Sequence, residues 1–470
     1  MHEVTLEPVP QRPYEEVFGA DRTARLHTAA EQLRTRLGGR TIWNVNSTAA
    51  GGGVAELLYG LVPLARALDV DVRWLVIDGD PEFFAVTKRL CTRIYGAAGD
   101  SGDLGPAELS HYLQITDSEA ARLADWVGPG DVVVVHEAQP AGLVQAARRL
   151  GAFVVWRGHT GSDVPNEHTE DGWAFARRFV EAAHATVFLN PQHVPAWAPR
   201  SRVIPPSIDP CSPKNTTLDP AVAAGILERV GILHGGGELP TSVPMPIGPD
   251  VLVQRPATVV RDGPAPAPDT PMVVQVSRWD RLKDMTGVLD AFLLAGHPDA
   301  YLTLAGSEVH GVSDDPEAEE MFDDCRRRWA ELPERDRHRV QLACLPMTDL
   351  RENAVVVNAL QQHATVVVQK SLAEGFGLTA TEAMWKGRPV VAGAVGGLKE
   401  QIVPGESGLL VDPYDIGSAG AAVRRLLDDS GFARKLGAAA RERVHERFLP
   451  DRHLLDWAAL IEQLAAAVPA

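Results

Sequence analysis

The fold is decided by the stretch Lys370-Ser371-Leu372-Ala373-Glu374-Gly375-Phe376-Gly377-Leu378-Thr379-Ala380-Thr381-Glu382-Ala383-Met384. An apolar run directly before this stretch predicts a buried strand, and the two glycines within it predict a turn into a helix. A glycine turn that opens a helix exposes backbone N–H groups at the positive end of the helix dipole, where phosphate binds. Glu374 and Glu382 frame the turn, and their carboxylates can accept hydrogen bonds from sugar and ribose hydroxyls. The stretch therefore indicates a nucleotide-sugar site, with an ordinary strand–turn–helix and surface glutamates as the alternative.

The rest of the chain alternates between short apolar runs and helical patterns. Near-continuous apolar runs of this length are typical of parallel strands that are covered on both faces. Strands are predicted at residues 41–46, 72–77, 131–136, 153–157, 185–189 and 202–204, and again at 272–276, 300–304, 340–343, 365–368, 389–392 and 408–411. Helices are predicted between them, among others at residues 20–37 and 118–127. The alternation predicts an α/β protein of two Rossmann-like, doubly wound domains.

Composition divides the chain into three parts. Residues 1–210 and residues 272–448 carry the two alternating patterns. Residues 211–271 differ from both because prolines and glycines recur throughout them. A segment of this length without regular structure is usually functional or disordered, so we interpret it as a junction between the domains or an insertion.

The overall charge narrows the class of partner. The 470-residue chain has 45 lysines and arginines against 62 aspartates and glutamates, a formal net charge of −17. Such acidity argues against binding to nucleic acid and to anionic membrane surfaces. The sequence has neither the roughly 18-residue apolar run of a membrane helix nor a signal-peptide pattern. Its four cysteines are scattered without metal-ligand spacing, so we expect reduced thiols in a cytoplasmic protein.

Polar residues at predicted strand ends are further candidates, because ligands of open α/β sheets bind beyond the carboxyl ends of the strands. Arg278 ends the first strand of the second domain, and Lys283 follows five residues later. Such a pair could hold a diphosphate and stabilise its charge as it leaves, although a solvated charged loop has the same composition. His136 and His159 end two strands of the first domain. No Asp-x-Asp pair or Cys/His cluster is placed to bind a donor metal, so no metal is expected.

A second glycine-rich turn, Gly51-Gly52-Gly53, follows the first predicted strand and precedes a helix. One glycine would be enough for a tight turn, so three contiguous glycines indicate close approach of a ligand to the backbone. Their spacing is not the Gly-x-Gly-x-x-Gly of dinucleotide-binding turns.

The pattern Glu-x7-Glu within Glu-Gly-Phe-Gly-Leu-Thr-x-Thr-Glu-Ala-Met resembles the signature of the retaining family 4 glycosyltransferases. Those enzymes have the GT-B fold, in which two Rossmann-like domains face each other across a cleft. The resemblance covers almost the whole chain apart from about residues 233–271, and within the family it is most similar to the trehalose glycosyltransferring synthases. The stretches that carry this likeness are residues 45–48, 51–56, 73–77, 83–88, 139–141, 205–210 and 382–386.

The resemblance implies transfer of glucose from a nucleoside diphosphate glucose to glucose, with retention, to give α,α-trehalose. It also implies that the last helix, residues 449–470, returns to the first domain, and that Gly51–Gly53 faces Glu374–Glu382 across the cleft. The residues that it suggests are His159, Arg278, Lys283 and Glu374 for catalysis; Gly52, Gly53, Gly375, Phe376, Gly377, Leu378 and Glu382 for the donor; and Asn46, Glu56, His136 and Asp163 for the acceptor.

Three alternatives remain open at this point. The related trehalose phosphorylases share much of the likeness, so inorganic phosphate could be the co-substrate. The acceptor could differ from glucose, because Thr160-Gly161-Ser162 precedes Asp163 where the family carries an acid directly. A non-catalytic sensor of nucleotide sugars would keep the fold but lose the cation pair, which is present here. The sequence does not decide the donor base or the oligomeric state, for which a homodimer is one option.

Overall fold

The computed structural model describes residues 1–100, 102–235, 240–309 and 316–467. The chain forms two compact units, one of Met1–Asp209 with Phe448–Ala470 and one of Pro210–Arg447. Parts of two predicted segments lie outside the described residues. These parts are residues 236–239 of the predicted junction and residues 468–470 of the predicted last helix.

The first unit is built on a seven-stranded sheet. Its strands are β1 (His2–Glu3), β2 (Ile42–Asn46), β3 (Val72–Val76), β4 (Val132–His136), β5 (Phe153–Arg157), β6 (Ala185–Phe188) and β7 (Arg202–Val203). They lie in the order β1-β3-β2-β4-β5-β6-β7, and all neighbours are parallel except β1, which pairs antiparallel with β3. The chain turns from one side of β2 to the other, so the topological switch point lies between β2 and β4.

Helices cover both faces of this sheet. They are α1 (Arg12–Phe18), α2 (Ala20–Leu37), α3 (Gly53–Ala67), α4 (Pro81–Ile94), α5 (Pro106–Leu123), α6 (Leu143–Arg149) and α7 (Glu167–Val180). The helix predicted at residues 118–127 is wrong in its bounds. Pro106 stands in the first turn of α5, where a missing N–H costs nothing, and the Glu108 carboxylate accepts the Gly105 N–H at 3.0 Å.

The second unit contains a second seven-stranded sheet and a small two-stranded one. Their strands are β8 (Ser242–Val243), β9 (Val251–Leu252), β10 (Thr258–Val260), β11 (Met272–Val276), β12 (Tyr301–Ser307), β13 (Val340–Leu345), β14 (Val366–Gln369), β15 (Val390–Gly393) and β16 (Leu409–Val411). β8 pairs with β9 in the small sheet, while the larger sheet has the order β10-β13-β12-β11-β14-β15-β16 and is parallel apart from β10. Its switch point therefore lies between β11 and β14.

The helices of the second unit alternate with these strands. They are α8 (Pro220–Arg229), α9 (Met285–Ala295), α10 (Pro316–Ala330), α11 (Glu334–Arg337), α12 (Leu350–His363), α13 (Leu378–Trp385), α14 (Gly396–Gln401), α15 (Ile416–Asp428) and α16 (Ser430–Arg447). The segment 211–271, interpreted as a junction, lies within this unit, because α8 packs on α12 and β10 extends the sheet beside β13.

The last helix, α17 (Pro450–Ala467), belongs to the first unit. Its Asp451 carboxylate forms a two-point ion pair with the guanidinium of Arg22, with both N···O distances at 2.6 Å. Leu460 and Leu464 pack with buried residues of β5 and β6. No helix in the described part of the chain is long and apolar enough to span a membrane.

Candidate functional site

The second unit brings together two of the predicted catalytic residues at its switch point. Lys283 lies in the loop after β11, and Glu374 lies in the loop after the neighbouring strand β14. The Lys283 Nζ is 2.6 Å from the Glu374 Oε2, and the Ser371 hydroxyl donates to the same oxygen at 3.1 Å. Both charged side chains are largely shielded from solvent, with exposures of 16% and 10%. A cation and a carboxylate are therefore held at the place where open α/β sheets bind ligands.

Hydrogen bonds between the two loops hold this pair in place. The side chain of Gln275 spans them, because its amide donates to the Lys283 carbonyl at 2.8 Å and accepts from the Lys370 N–H at 3.0 Å. The Leu372 N–H donates to the Leu282 carbonyl at 2.8 Å. Lys370, which is 1% exposed, also forms an ion pair with Asp284. The loops can thus present their side chains with little reorganisation.

Arg278 differs from Lys283 in its surroundings. Its guanidinium is 68% exposed and lies 2.7 Å from the Asp280 carboxylate in the same loop. The structure therefore places Arg278 beside the switch point, but without the supporting contacts that fix Lys283.

The predicted donor-binding residues Gly375 to Leu378 form the turn into α13. Gly377 is the N-cap of this helix and has φ +90°, a backbone conformation that favours glycine. The buried Gln401 holds the turn, since its Nε2 donates to the carbonyls of Phe376 and Gly377 and its Oε1 accepts from the Thr381 hydroxyl at 2.8 Å. The turn thereby presents the N-terminal amides of α13, as expected of a phosphate site.

Glu382, the second carboxylate of the motif, lies inside α13 and is 1% exposed. Its Oε1 is 3.7 Å from the Nζ of Lys214. Contact between Glu382 and a ribose stays a prediction.

In the first unit, the two predicted histidines meet at the carboxyl ends of β4 and β5. The Nδ1 of His136 lies 3.0 Å from the Nε2 of His159, and the Nε2 of His136 lies 3.0 Å from the Asn44 Oδ1. The Asn44 amide nitrogen is oriented by the Arg73 carbonyl at 3.4 Å, so its oxygen is the acceptor for His136. Nδ1 of His136 then accepts from His159, which leaves the Nδ1 of His159 as a hydrogen-bond acceptor.

Burial and a nearby cation keep both rings neutral. The pKa of His136 is well below its ordinary value because of burial and the charge of Arg157. The pKa of His159 is lowered by burial, by Arg157 and by His136. At neutral pH, His159 therefore acts as a neutral hydrogen-bonding group and not as a cation.

Glu137, which follows His136, was missed by the sequence reasoning. It has φ +69°, a rare conformation for a side chain other than glycine, and is 8% exposed. Its carboxylate accepts a hydrogen bond from the backbone N–H of His159 and another from the Thr160 hydroxyl at 3.1 Å. Burial raises the pKa of Glu137 to about 7 despite these donors. The signal available in the sequence was an acid next to a histidine at a strand end.

Arg157, the last residue of β5, was also missed as a site residue. It is 1% exposed, its Nη1 lies 3.1 Å from the Nε2 of His453, and its guanidinium lies 5.3 Å from the Trp457 ring centre. The Ser207 hydroxyl lies 2.9 Å from the other ring nitrogen of His453. Burial lowers the pKa of Arg157 to about 9, so it remains charged at pH 7 behind the two histidines.

The remaining predicted residues of the first unit have structural contacts of their own. The Asn46 amide accepts from the Trp74 indole and donates to the Thr48 carbonyl, both at 2.7 Å, and so shapes the glycine-rich turn. Gly52, with φ +80°, is the N-cap of α3, which begins at Gly53 and carries the exposed Glu56 in its first turn. The Asp163 carboxylate lies 3.0 Å from the Nε2 of His193.

Of the candidate residues, His136 and His159 meet in the first unit, and Lys283 and Glu374 meet in the second. The predicted approach of Gly51–Gly53 to Glu374–Glu382 concerns the relation of the units and stays a prediction. Within the described ranges, no group of three or more histidine, cysteine or acidic side chains is arranged to hold a metal ion.

Comparisons with known proteins agree with this architecture. Residues 44–195 match a family described as "Trehalose synthase, N-terminal domain", and residues 259–443 match "Glycosyl transferases group 1". The chain is 34% identical to a trehalose synthase of Pyrococcus horikoshii, over 96% of this chain and 95% of that protein. It is 25% identical to a trehalose phosphorylase of Pleurotus pulmonarius, over 92% of this chain and 58% of that protein. A solved sucrose-phosphate synthase from Thermosynechococcus elongatus has a TM-score of 0.64 at 21% identity, covering 91% of this chain and 100% of that chain.

Two doubly wound sheets with these matches define a glycosyltransferase of the GT-B fold class, so the predicted fold class is confirmed. The chain belongs to the trehalose synthase family, and the resemblance predicted from the sequence is confirmed with it.

Proposed function

We propose that this protein transfers glucose from a nucleoside diphosphate glucose to free glucose, with retention of the anomeric configuration, and forms α,α-trehalose. The observation that carries the proposal is the Lys283–Glu374 pair, 2.6 Å apart at the switch point of the second unit. The family assignment supports the choice of trehalose, and the glycine turn into α13 supports a phosphorylated donor.

In the proposed donor site, the N-terminal amides of α13 bind the diphosphate. Lys283 lies beside them and meets the negative charge that grows on the diphosphate as the glycosidic bond breaks. Glu374 accepts hydrogen bonds from the hydroxyls of the donor sugar, and its pairing with Lys283 and Ser371 fixes where those hydroxyls must lie. Such fixed groups favour the transition state because they need little rearrangement during the reaction.

Retention in this proposal needs no protein nucleophile. The acceptor hydroxyl attacks the anomeric carbon on the face from which the diphosphate departs, and a diphosphate oxygen takes the hydroxyl proton. The bond from carbon to the diphosphate oxygen breaks while the new glycosidic bond forms. His159, held neutral beside His136, offers its Nδ1 to a sugar hydroxyl near the reacting carbon.

The donor–acceptor specificity is tested by a screen of nucleoside diphosphate glucoses against glucose, deoxyglucoses, glucose phosphates and other polyols. Products are identified by mass and by the NMR signals of the anomeric centres. We expect an α,α-linked disaccharide from glucose, and a strong loss of turnover with acceptors that lack one hydroxyl. If the folded protein forms product with another acceptor but none with glucose, the trehalose assignment is overturned.

The phosphorylase alternative is supported by the likeness to the Pleurotus enzyme and is tested in the same assay. Product from glucose 1-phosphate with release of inorganic phosphate, and none from a nucleotide sugar, would establish it. A chain that binds nucleotide sugar but gives no product with any acceptor would instead be a sensor.

We also propose that turnover requires no divalent metal, because the phosphate charge is met by Lys283 and by helix amides. Activity should be unchanged in excess EDTA. Loss of activity that Mg²⁺ or Mn²⁺ restores would show that the phosphate site has been interpreted wrongly.

A further inference from the structure

A cavity of about 390 Å³ opens in the first unit beside the loop that follows β5. It lies between the first turns of α7 and the loop after β6, and its size falls within the range of small-molecule sites. The cavity is separate from the histidine pair but shares a loop with it, since Ser162 lines the cavity and His159 lies three residues earlier. Their Cα atoms are at most about 11 Å apart, because consecutive Cα atoms are about 3.8 Å apart.

Two partly exposed tryptophans line this cavity. Trp173 and Trp197 meet edge to face, with ring centres 5.5 Å apart and planes at 72°. Trp173 is held from behind by Trp156 at 6.0 Å, and the guanidinium of Arg177 lies 5.5 Å from the Trp197 ring centre. Both indoles are thus fixed by aromatic and cationic contacts before any ligand binds.

The polar groups around the cavity favour a neutral ligand. Glu170 and Gln192 are exposed side chains in its lining and offer a carboxylate and an amide to hydroxyl groups. The charge of Arg177 is already paired with Glu181 at 2.8 Å, so the lining has no excess positive charge to attract a phosphate. Indole surfaces next to hydroxyl-binding groups match a pyranose ring, which has an apolar C–H face and a rim of hydroxyls.

The histidine in the cavity lining is also fixed. His193 is 5% exposed and its Nε2 lies 3.0 Å from the Asp163 carboxylate, so Asp163 holds a residue of the cavity lining in place. A Cβ on Gly161 would lie 2.4 Å from the His193 ring, which shows how closely this loop is packed.

We propose that this cavity is a second carbohydrate subsite. It binds the non-reducing unit of a disaccharide whose reducing glucose unit lies beside His159. Its use in catalysis depends on the proposed transferase reaction, whereas binding of a neutral saccharide to the two tryptophans does not. The subsite would extend the acceptor range from glucose to oligosaccharides with glucose at the reducing end.

Binding is measured on the full chain without donor, by tryptophan fluorescence and saturation-transfer NMR with maltose and cellobiose as probes. We expect that Trp197→Ala weakens binding at least tenfold. Trp126→Ala, which alters another partly exposed tryptophan of the same unit, should leave it unchanged. Glu170→Gln and Gln192→Ala change exposed side chains and should weaken binding several-fold even if Trp197→Ala fails to fold. Binding that is absent, or equal in all these variants, overturns the subsite.

Transfer is measured with nucleoside diphosphate glucose as donor and with glucose or maltose as acceptor. The kcat/KM for maltose relative to glucose should fall at least tenfold in Trp197→Ala and stay constant in Trp126→Ala. An unchanged ratio overturns the subsite while the transferase proposal stands. Saccharide binding that depends on Trp197, without transfer to any acceptor in the wild type, overturns the transferase proposal while the subsite stands.

Discussion

The carboxylate of Glu137, directly after β4, connects the end of that strand to the loop that follows β5. Its left-handed conformation turns the carboxylate toward the His159 N–H and the Thr160 hydroxyl. The conformation costs on the order of 1 kcal/mol or more, and the surrounding contacts must offset it. Glu137 is therefore a positioning residue for the His159 loop.

Protonation of Glu137 should weaken this support. Its pKa of about 7 lies above the ordinary value because of burial, so the carboxylate that accepts both hydrogen bonds is lost as pH falls below 7. We expect kcat/KM to rise between pH 6 and pH 8 with an apparent pKa near 7. Glu137→Gln should remove this step, and Glu82→Gln, an exposed glutamate of α4, should retain it. A step that persists in Glu137→Gln would assign it to another group.

Lys283 and Arg278 should differ in their effect on catalysis. Lys283→Ala removes a cation that is largely shielded from solvent and that we place where charge grows in the transition state, so we expect kcat to fall on the order of 100-fold with a smaller change in donor KM. Arg278→Ala should cost less, because Arg278 is 68% exposed and paired with Asp280. Arg281→Ala is the control, since this residue of the same loop is exposed and pairs with Glu320 at 3.5 Å. A raised KM with unchanged kcat in Lys283→Ala would limit its role to binding the donor.

At the scale of elements, the contact between α14 and the loop of Glu374 leaves no room for a side chain. A Cβ on Gly396 would lie 1.6 Å from the Glu374 carbonyl oxygen, and Gly396 has φ +46°. Gly396→Ala should therefore displace the loop and lower kcat on the order of 100-fold. Gly405→Ala is a matched control, because Gly405 also has positive φ, +77°, but no neighbour within 4 Å of an added Cβ. If kcat falls equally in both variants, the loss comes from backbone strain at positive φ and not from the contact between Gly396 and the Glu374 loop.

The sequence predicted strands better than it predicted irregular elements. β4 and β14 begin with unbroken runs of valine because both of their faces are buried, and β11 and β14 are neighbouring parallel strands, so the loops that follow them lie at the same edge of the sheet. The start of α5 was missed because its buried residues include a threonine and a glutamate, which disguise the helical period. The edge strand β10 has three residues and no fully buried one, so its pattern is weak.

The site could be predicted only in part, for a related reason. Lys283 and Glu374 lie on loops next to motifs that a sequence displays. Arg157 and Glu137 act from the interior, and their importance depends on contacts with residues distant in the chain, such as His453. Such contacts have no local pattern.

At the scale of the whole molecule, three histidines with lowered pKa values should make stability depend on pH. Burial, with Arg157 nearby, lowers the pKa values of His136, His159 and His453 well below their ordinary value. The unfolded chain therefore binds more protons below about pH 6.5, and the native state loses stability as pH falls from 7 to 5. Glu137 acts in the opposite direction, because its raised pKa makes the folded state bind a proton between about pH 4.5 and 7.

The three histidines and Glu137 together contribute a difference of up to about two protons, or a slope of up to about 3 kcal/mol per pH unit. Urea unfolding at pH 5, 6 and 7 measures it. His453→Gln keeps a neutral partner for Arg157 and Ser207 but removes one titrating group. The slope of unfolding free energy against pH should therefore fall by the contribution of one proton, about 1.4 kcal/mol per pH unit. A slope that is the same in this variant would contradict the assignment.

Because α17 returns to the first unit, it affects the order in which the two units can fold during synthesis on the ribosome. Residues 210–447 contain the whole second unit, whereas the first unit lacks Asp451 and His453 until α17 is available. Arg157 therefore lacks its partner His453 until nearly three hundred further residues have been translated. Nascent chains that end at Arg447 and stay attached to the ribosome through an added linker longer than the exit tunnel should show a protease-sensitive amino-terminal half and a resistant later half, a reversal of the usual vectorial order of domain folding.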